Sequence, residues 1–338
     1  MKRTANKLFI YTLSSIAVLA SCLAAAETRV IAPSLEGGMT ATVGTFYVAP
    51  SADTQDYALQ SFIGGTYLSN TGNIVEVNPG YNFGFEAALG YIFADTANGV
   101  ELLYRTVETH DNDSVYNADE TIYSPIFDDD YTGATSSLKY ELNAIDLMFN
   151  QFINLGQAVQ MRFSAGASFV DLEKKQNSKF NDDDDDADLF QNNSKYNGVG
   201  PRVATDGRYD FGQGFGIVGG ASLAFFTGDM DVHDTFSSFD SIGVQKVKDD
   251  LDNHIVTNLR GNLGIDYVYF FNDDELSAVG IELGYMVDYY ADAITQLNYA
   301  DVGGEYTKDL ADYTSYLGSS DSNSLTFSGP YLNLKGAF

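Results

Sequence analysis

The stretch "GPYLNLKGAF", Gly329 to Phe338, sets Leu332, Leu334 and Phe338 at even spacing, with Asn333 and Lys335 between them. Successive side chains of a strand point to opposite faces, so this is a strand with one apolar and one polar face whose last residue is an aromatic. Chain ends are usually frayed and polar unless a sheet ties them down. The pattern therefore asks for a neighbouring strand that uses a terminal phenylalanine.

Upstream, from residue 37 onward, two textures alternate: glycine- and aromatic-rich stretches of period two, and polar acidic stretches with no period. The first kind occurs ten times, predicting strands over about 38–49, 81–94, 99–109, 138–153, 158–171, 195–211, 214–228, 253–271, 277–291 and 324–338. Their faces are legible. In the fifth, Val159, Met161, Phe163, Ala165, Ala167 and Phe169 share one side, and Arg162, Ser164, Gly166 and Ser168 the other. The ninth sets Val279, Ile281, Leu283, Tyr285 and Val287 against Glu282, Gly284 and Asp288. Two departures suggest bulges: "LNAIDLMF" shifts phase near Ala144, and Pro330 interrupts the last strand.

Four links are tight, "DTAN", "NLGQ", "GQ" and "NDDE". The other five run about 20 to 30 residues, far beyond ordinary loops, and hold nearly all the acid runs, including "NDDDDDADLF" at 181–190. Short turns on one side, long loops on the other and an even strand count predict an all-β, transmembrane, antiparallel up-and-down β-barrel of about ten strands, with long acidic extracellular loops and short periplasmic turns. Strand one then pairs with strand ten, and Phe338 closes the seam in a girdle with Tyr91, Phe93, Tyr209, Phe211, Phe215, Tyr269 and Phe271. A soluble sandwich also alternates, but would not need apolar residues facing out on every strand. Eight or twelve strands stay open, because "LQSFIGGTYL" at 59–68 could add a hairpin.

Residues 1–26 carry Lys2, Arg3 and Lys7, then an apolar run, then "AAA" before Glu27. This predicts a cleaved export signal, with residues 27–338 forming the barrel in the bacterial outer membrane. Cys22, in "LASC", also resembles a lipobox, so a lipidated Cys22 is the alternative. It is the only cysteine, so no disulfide staples the mature chain. A formal net charge of -29 excludes nucleic acid as a partner.

Strand parity places Glu86, Glu101, Arg105, Asp146, Arg162, Arg202, Asp206, Arg208, Arg260, Asp266, Glu282, Asp288 and Lys335 inward. They are either a pore lining that sorts solutes by charge or mutually paired ions that fill a narrow lumen. Inward glycines, among them Gly84, Gly198, Gly216, Gly220, Gly264 and Gly284, would reduce that filling. Two of the three histidines sit in "HD" pairs, His110-Asp111 and His233-Asp234, but neighbours in a strand point to opposite faces, so neither pair forms a dyad by itself. No nucleophile elbow or zinc-spaced cluster supports catalysis, and no cofactor is expected. Asp182 to Asp186 with Asp188 could gather calcium or reach lipopolysaccharide through divalent ions, but lack the glycine and terminal Glu of an EF-hand. A solvated loop tip is the simpler reading.

At "YNGVGPRVATDGRYDFGQGFGIVGGASLAFFTG", residues 196–228, and at "SGPYLNLKGAF" the sequence resembles the Legionella-type major outer membrane protein family. The resemblance covers roughly the last 200 residues and is looser before residue 80. It implies a porin-like barrel for passive passage of small solutes, a closing Phe338 that signals to the outer-membrane assembly machinery, and host-surface contacts through the loops. Membrane lipid and lipopolysaccharide are the other expected partners. The alternative is a non-conducting structural or adhesive barrel acting through its loops.

Overall fold

The computed structural model describes residues 37–61, 72–116, 121–124, 130–156, 158–182, 186–237, 244–271, 277–299 and 317–338. The signal segment, Cys22, all of "NDDE" and most of 182–186 lie outside them. Every regular element among the described residues is a strand. Ten strands form a closed antiparallel barrel in the order β1 (Gly38–Ala52), β14 (Leu317–Ala337), β13 (Ala278–Tyr299), β12 (Val244–Phe270), β11 (Phe215–Ser237), β10 (Ala187–Gly212), β9 (Val159–Asn181), β8 (Gly133–Leu155), β5 (Asn98–Tyr116) and β4 (Asn82–Ile92), which returns to β1. A separate small sheet, β3 (Gly72–Glu76), β2 (Asp56–Ser61), β6 (Thr121–Tyr123) and β7 (Asp130–Tyr131), comes from the links between β1 and β4 and between β5 and β8. Residues 59–61 of the stretch left open above belong to this sheet and not to the wall, so the barrel has ten strands.

The seam is closed by β1 against β14, and Met39 and Phe338 exchange both backbone hydrogen bonds at 2.9 Å. At the same rim the "GQ" turn needs left-handed backbone at three consecutive residues, with φ of +94° at Gly212, +58° at Gln213 and +87° at Gly214. Glycine adopts this at no steric cost on either side of Gln213.

Outward residues of the rim half are apolar on every wall strand. Phe83 and Leu89 on β4, Phe149 on β8, Leu263 and Ile265 on β12 and Leu283 on β13 are all exposed. Such a belt belongs in hydrocarbon, because a strand needs about 9 to 11 tilted residues to cross the apolar layer. The 11 residues of β4 suffice for one crossing.

β1 has 15 residues and the remaining wall strands 19 to 27, the longest being β12, so they rise well beyond the belt. Two of the links expected at about 20 to 30 residues, those between β9 and β10 and between β11 and β12, are therefore largely wall. β9 and β10 continue as a hairpin until Asp182 donates its backbone N–H to Asp186 at 3.2 Å. Within the acid run, Asp188 is not a solvated tip residue: it is buried and accepts the Tyr131 hydroxyl at 2.5 Å.

The two expected bulges are corrected. β8 holds its register with β5 and β9 straight through Ala144. Pro330 sits opposite Tyr285 without a shift in register. Its missing N–H only interrupts the bridge to β1, whose pairing resumes in the same register at Ala49 and Ser328. Shifts lie instead at Asp210–Gly212, at Asn298–Tyr299, and where β11 meets β12 near Asn253 and β13 meets β14 near Asp292, the last two residues both with positive φ. The His254 ring bonds the Asp292 carbonyl at 2.6 Å and ties these last two bulges together.

Candidate functional site

The barrel interior holds the candidate site, and it has three levels. Nearest the short-turn rim is a vestibule of about 430 Å³. Its wall includes Arg162, which reaches Glu101 at 2.8 Å and Asp206 at 2.9 Å, and Arg260, which reaches Glu86 at 2.8 Å. Arg208 binds Asp266 at 2.6 Å and Asp210 at 2.7 Å, and Lys335 pairs with Glu282.

Above the vestibule lies a second, fully buried level. Arg105 spans the lumen from β5 to Asp288 on β13 at 2.8 Å and to Asp146 on neighbouring β8 at 3.2 Å. Arg202 adds a contact to Asp146 at 3.2 Å and donates to Asn258 at 2.9 Å, and Asn258 donates on to Asp288 at 2.6 Å. Ser168 donates to Asp146 as well. Arg105 and Asp288 are each about 2% exposed, so two arginines and two aspartates neutralise one another away from water. In such a place removal of one member leaves an uncompensated charge.

The third level is apolar. Leu138, Tyr140 and Leu142 of β8, Leu172 of β9, Tyr196 of β10, Phe226, Met230 and Val232 of β11, Tyr290 of β13 and Phe327 of β14 form one buried cluster. Tyr57 and Ala58 of β2 and Ile122 of β6 belong to it, so the small sheet packs into the mouth of the barrel. Polar clips hold that sheet and its flanks. Tyr57 donates to Asp113 at 3.0 Å, Gln176 donates to the Asp56 carbonyl at 3.3 Å, and Lys174 donates to the Thr54 carbonyl at 2.8 Å. The Arg202 guanidinium lies 5.9 Å from the Phe226 ring centroid and joins the charged level to the apolar one.

All thirteen charged residues picked out by parity take part in these ion pairs. The glycines do not empty the lumen, contrary to expectation. Gly84 lies opposite Phe46 and Gly284 opposite Tyr331 in adjacent strands, and an added Cβ at Gly84 would collide with the Phe46 ring. At Gly216 the space is taken by Arg208 and Asp266, and at Gly220 by Asp206 and Asn262. Glycine here makes room for a large neighbour rather than for water.

Sequence reasoning missed the neutral partners Asn258, Ser168 and Tyr331, because only charges were taken from the inward face. The same parity would have found them. Tyr331 donates to Glu282 at 2.7 Å and accepts from Asn262 at 3.1 Å. His233 faces out while Asp234 is buried and accepts from Asn192 at 2.7 Å, so this pair is split between the faces.

The family described as Legionella pneumophila major outer membrane protein precursor matches residues 31–338. A search of curated proteins finds no match. Among solved structures, the outer membrane protease OmpT from Escherichia coli aligns with a TM-score of 0.43 and 10% identity, over 89% of this chain and 97% of that one. A Pseudomonas aeruginosa FadL homologue aligns at 0.26 and 8% identity, over 90% of each chain. The deltaS2 mutant of the monoaromatic hydrocarbon channel TodX aligns at 0.29 and 9%, over 89% of this chain and 90% of that one. At TM-scores below 0.5 none of these likenesses carries an argument about function.

Proposed function

This chain belongs to the Legionella major outer membrane protein family, and we propose that within it the chain serves as a sealed structural barrel that displays a tall acidic wall and its loops at the cell surface. It resides in the bacterial outer membrane, with the short turns on the periplasmic side. One observation carries the reading. Two buried levels cross the lumen, the Arg105, Asp146, Arg202 and Asp288 level and the apolar cluster above it. A barrel of about eight strands is just filled by its side chains, whereas 16 to 18 strands leave an aqueous channel. Ten strands filled with paired charges and aromatic rings follow the small-barrel rule. Hydrolysis is no part of the proposal, since His233 and Asp234 face opposite sides of the wall.

The passive solute channel has its own support in the polar vestibule, which reaches from the rim to the buried charged level. It requires the apolar cluster and the small sheet to move aside. Refolded protein in a planar bilayer, with folding verified by its gel shift on heating, separates the two. Silent insertion is expected. Reproducible conductance steps overturn sealing, and the acidic surface would then make them cation-selective at low salt.

A further inference from the structure

The vestibule holds more than ion pairs. Five of its side chains are more than nine-tenths buried and each leaves one polar atom without a hydrogen-bond partner among the described residues: the oxygens Asn150 Oδ1, Ser164 Oγ, Asp266 Oδ1 and Asn333 Oδ1, of which Asp266 Oδ1 lies against Gly216 and Asn333 Oδ1 against Gly44, and the donor Arg202 Nε, which has the Asp146 carboxylate at 3.2 Å. Unpartnered buried polar atoms are costly unless something satisfies them. The four oxygens can accept, so what they lack is a donor, while the one unpartnered N–H, on Arg202, is already held in an ion pair.

The charged groups restrict what could supply it. Every arginine here, and Lys335, already has a carboxylate within ion-pair distance. A charged solute would have to displace one member of a pair and strand the other. A hydroxyl group faces no such conflict, because it donates to a carboxylate or amide oxygen while accepting from a guanidinium N–H. Side-by-side acceptors and donors, as in Arg162 with Asp206, match neighbouring hydroxyls of one molecule. Between the polar groups lie Ala88, Met148 and Val218, which offer apolar contact to C–H faces. The volume of about 430 Å³ falls within the range of small-molecule sites.

We propose that the vestibule is a binding site for a small neutral polyhydroxyl compound, of the size of a mono- or disaccharide, admitted from the periplasmic rim. It is independent of sealing. Saccharide binding together with a silent bilayer keeps both proposals, and saccharide binding together with conductance steps overturns sealing alone.

The test is saturation-transfer NMR on the refolded full-length protein with glucose and maltose, beside glucosamine and gluconate as cationic and anionic counterparts. Ala204 faces the vestibule from β10, so Ala204→Leu and Ala204→Phe fill the cup in two steps, with folding checked by the gel shift on heating. The neutral sugars are expected to give the strongest signal, weakened by Ala204→Leu and reduced at least tenfold by Ala204→Phe. Asn150→Ala, which keeps the volume open, should weaken binding several-fold. No neutral-sugar signal, a signal equal in the folded Ala204→Phe protein, or preference for either charged counterpart overturns the proposal. Should Ala204→Phe fail to fold, the Ala204→Leu and Asn150→Ala results decide.

Discussion

The rim half and the upper half of the wall use the same strands with the same parity and opposite chemistry. On β8, below Ala144, exposed Ile145, Leu147 and Phe149 face out while Asp146 and Asn150 face in. Above it, Leu138, Tyr140 and Leu142 face in, and Lys139 and Glu141 face out. Nothing in the backbone marks the crossing. What changes is the solvent outside. Against hydrocarbon a charge at the midplane costs about 2 to 4 kcal/mol, so charges turn in and pair. Against water the ordinary rule returns, and apolar groups form a core. The upper half packs like a water-soluble β-barrel standing on a membrane one, and the buried level of Arg105, Asp146, Arg202 and Asp288 lies where the two meet.

Breaking the charged level should have the largest effect. Arg105→Met leaves Asp146 with Arg202 alone and takes from Asp288 its only arginine among the described residues, and should cost about 3 to 5 kcal/mol. Urea titration of the heat-modifiable gel band reads it. A loss under about 1 kcal/mol would mean that water reaches this level and that the two halves are not separated by a dry layer.

Leu172→Ala probes the apolar half. The side chain is 1% exposed, and its removal should cost about 2 to 5 kcal/mol by the same titration. Outward residues at the same height should hardly register: Lys139→Ala breaks only exposed pairs, to Glu108 at 3.0 Å and Glu141 at 3.4 Å, worth about 0 to 1 kcal/mol. If both variants lose the same amount, the upper half has no core of its own.

The smallest effect sharpens the comparison through pH. Lys174 lies five residues beyond Phe169 on β9, above the apolar belt, and is fully buried with one hydrogen bond. Burial pushes its amine from 10.5 down to about 7, against the opposing pull of Asp234 and Asp56. Tyr140 and Ser194 stand directly opposite it in the two neighbouring strands, and Gln176 and Asn192 are the next inward polar groups along β9 and β10. The folded value lies below the unfolded one, so the unfolded chain holds the proton more tightly. Stability should therefore fall as pH drops from about 10 towards about 7 and level off below. Lys174→Met should flatten that slope and raise the urea midpoint at pH 7. An unchanged slope would show that water already reaches the ammonium.

Much of this was legible in the sequence because period two is a local property. All ten wall strands, their lipid-facing residues and the seam at Phe338 follow from alternation alone, as does the tight turn at "GQ". The ends of the strands above the belt did not. There the outward positions are polar and the inward ones apolar, so a pattern tuned to greasy outward faces stops at residue 153 going down β8 but begins only at 138. The apparent phase shift at Ala144 was the signal of the upper core, taken for a bulge. Ion-pair partners were also hidden, since Arg260 and Glu86 lie 174 residues apart and Arg105 and Asp288 lie 183 apart. Parity gives the face of a residue, whereas its partner across the lumen depends on the shear of the closed barrel.

The seam also sets an order of events. β1 and β14 meet at Thr40 and Ala337, about 300 residues apart along the chain, and β1 is the earliest wall strand to be made and β14 the latest. Until β14 arrives, β1 and β13 each carry a row of unpaired backbone groups, the kind of edge that recruits foreign strands. No shorter piece of the chain can hide both. Loop closure over such a span is slow, and each stage before it is a sheet with two sticky borders. The finished wall has no border at all, so its formation should behave as a single late event: a long silent interval in which the protein depends on other molecules to keep it apart, followed by closure that leaves nothing to pull open.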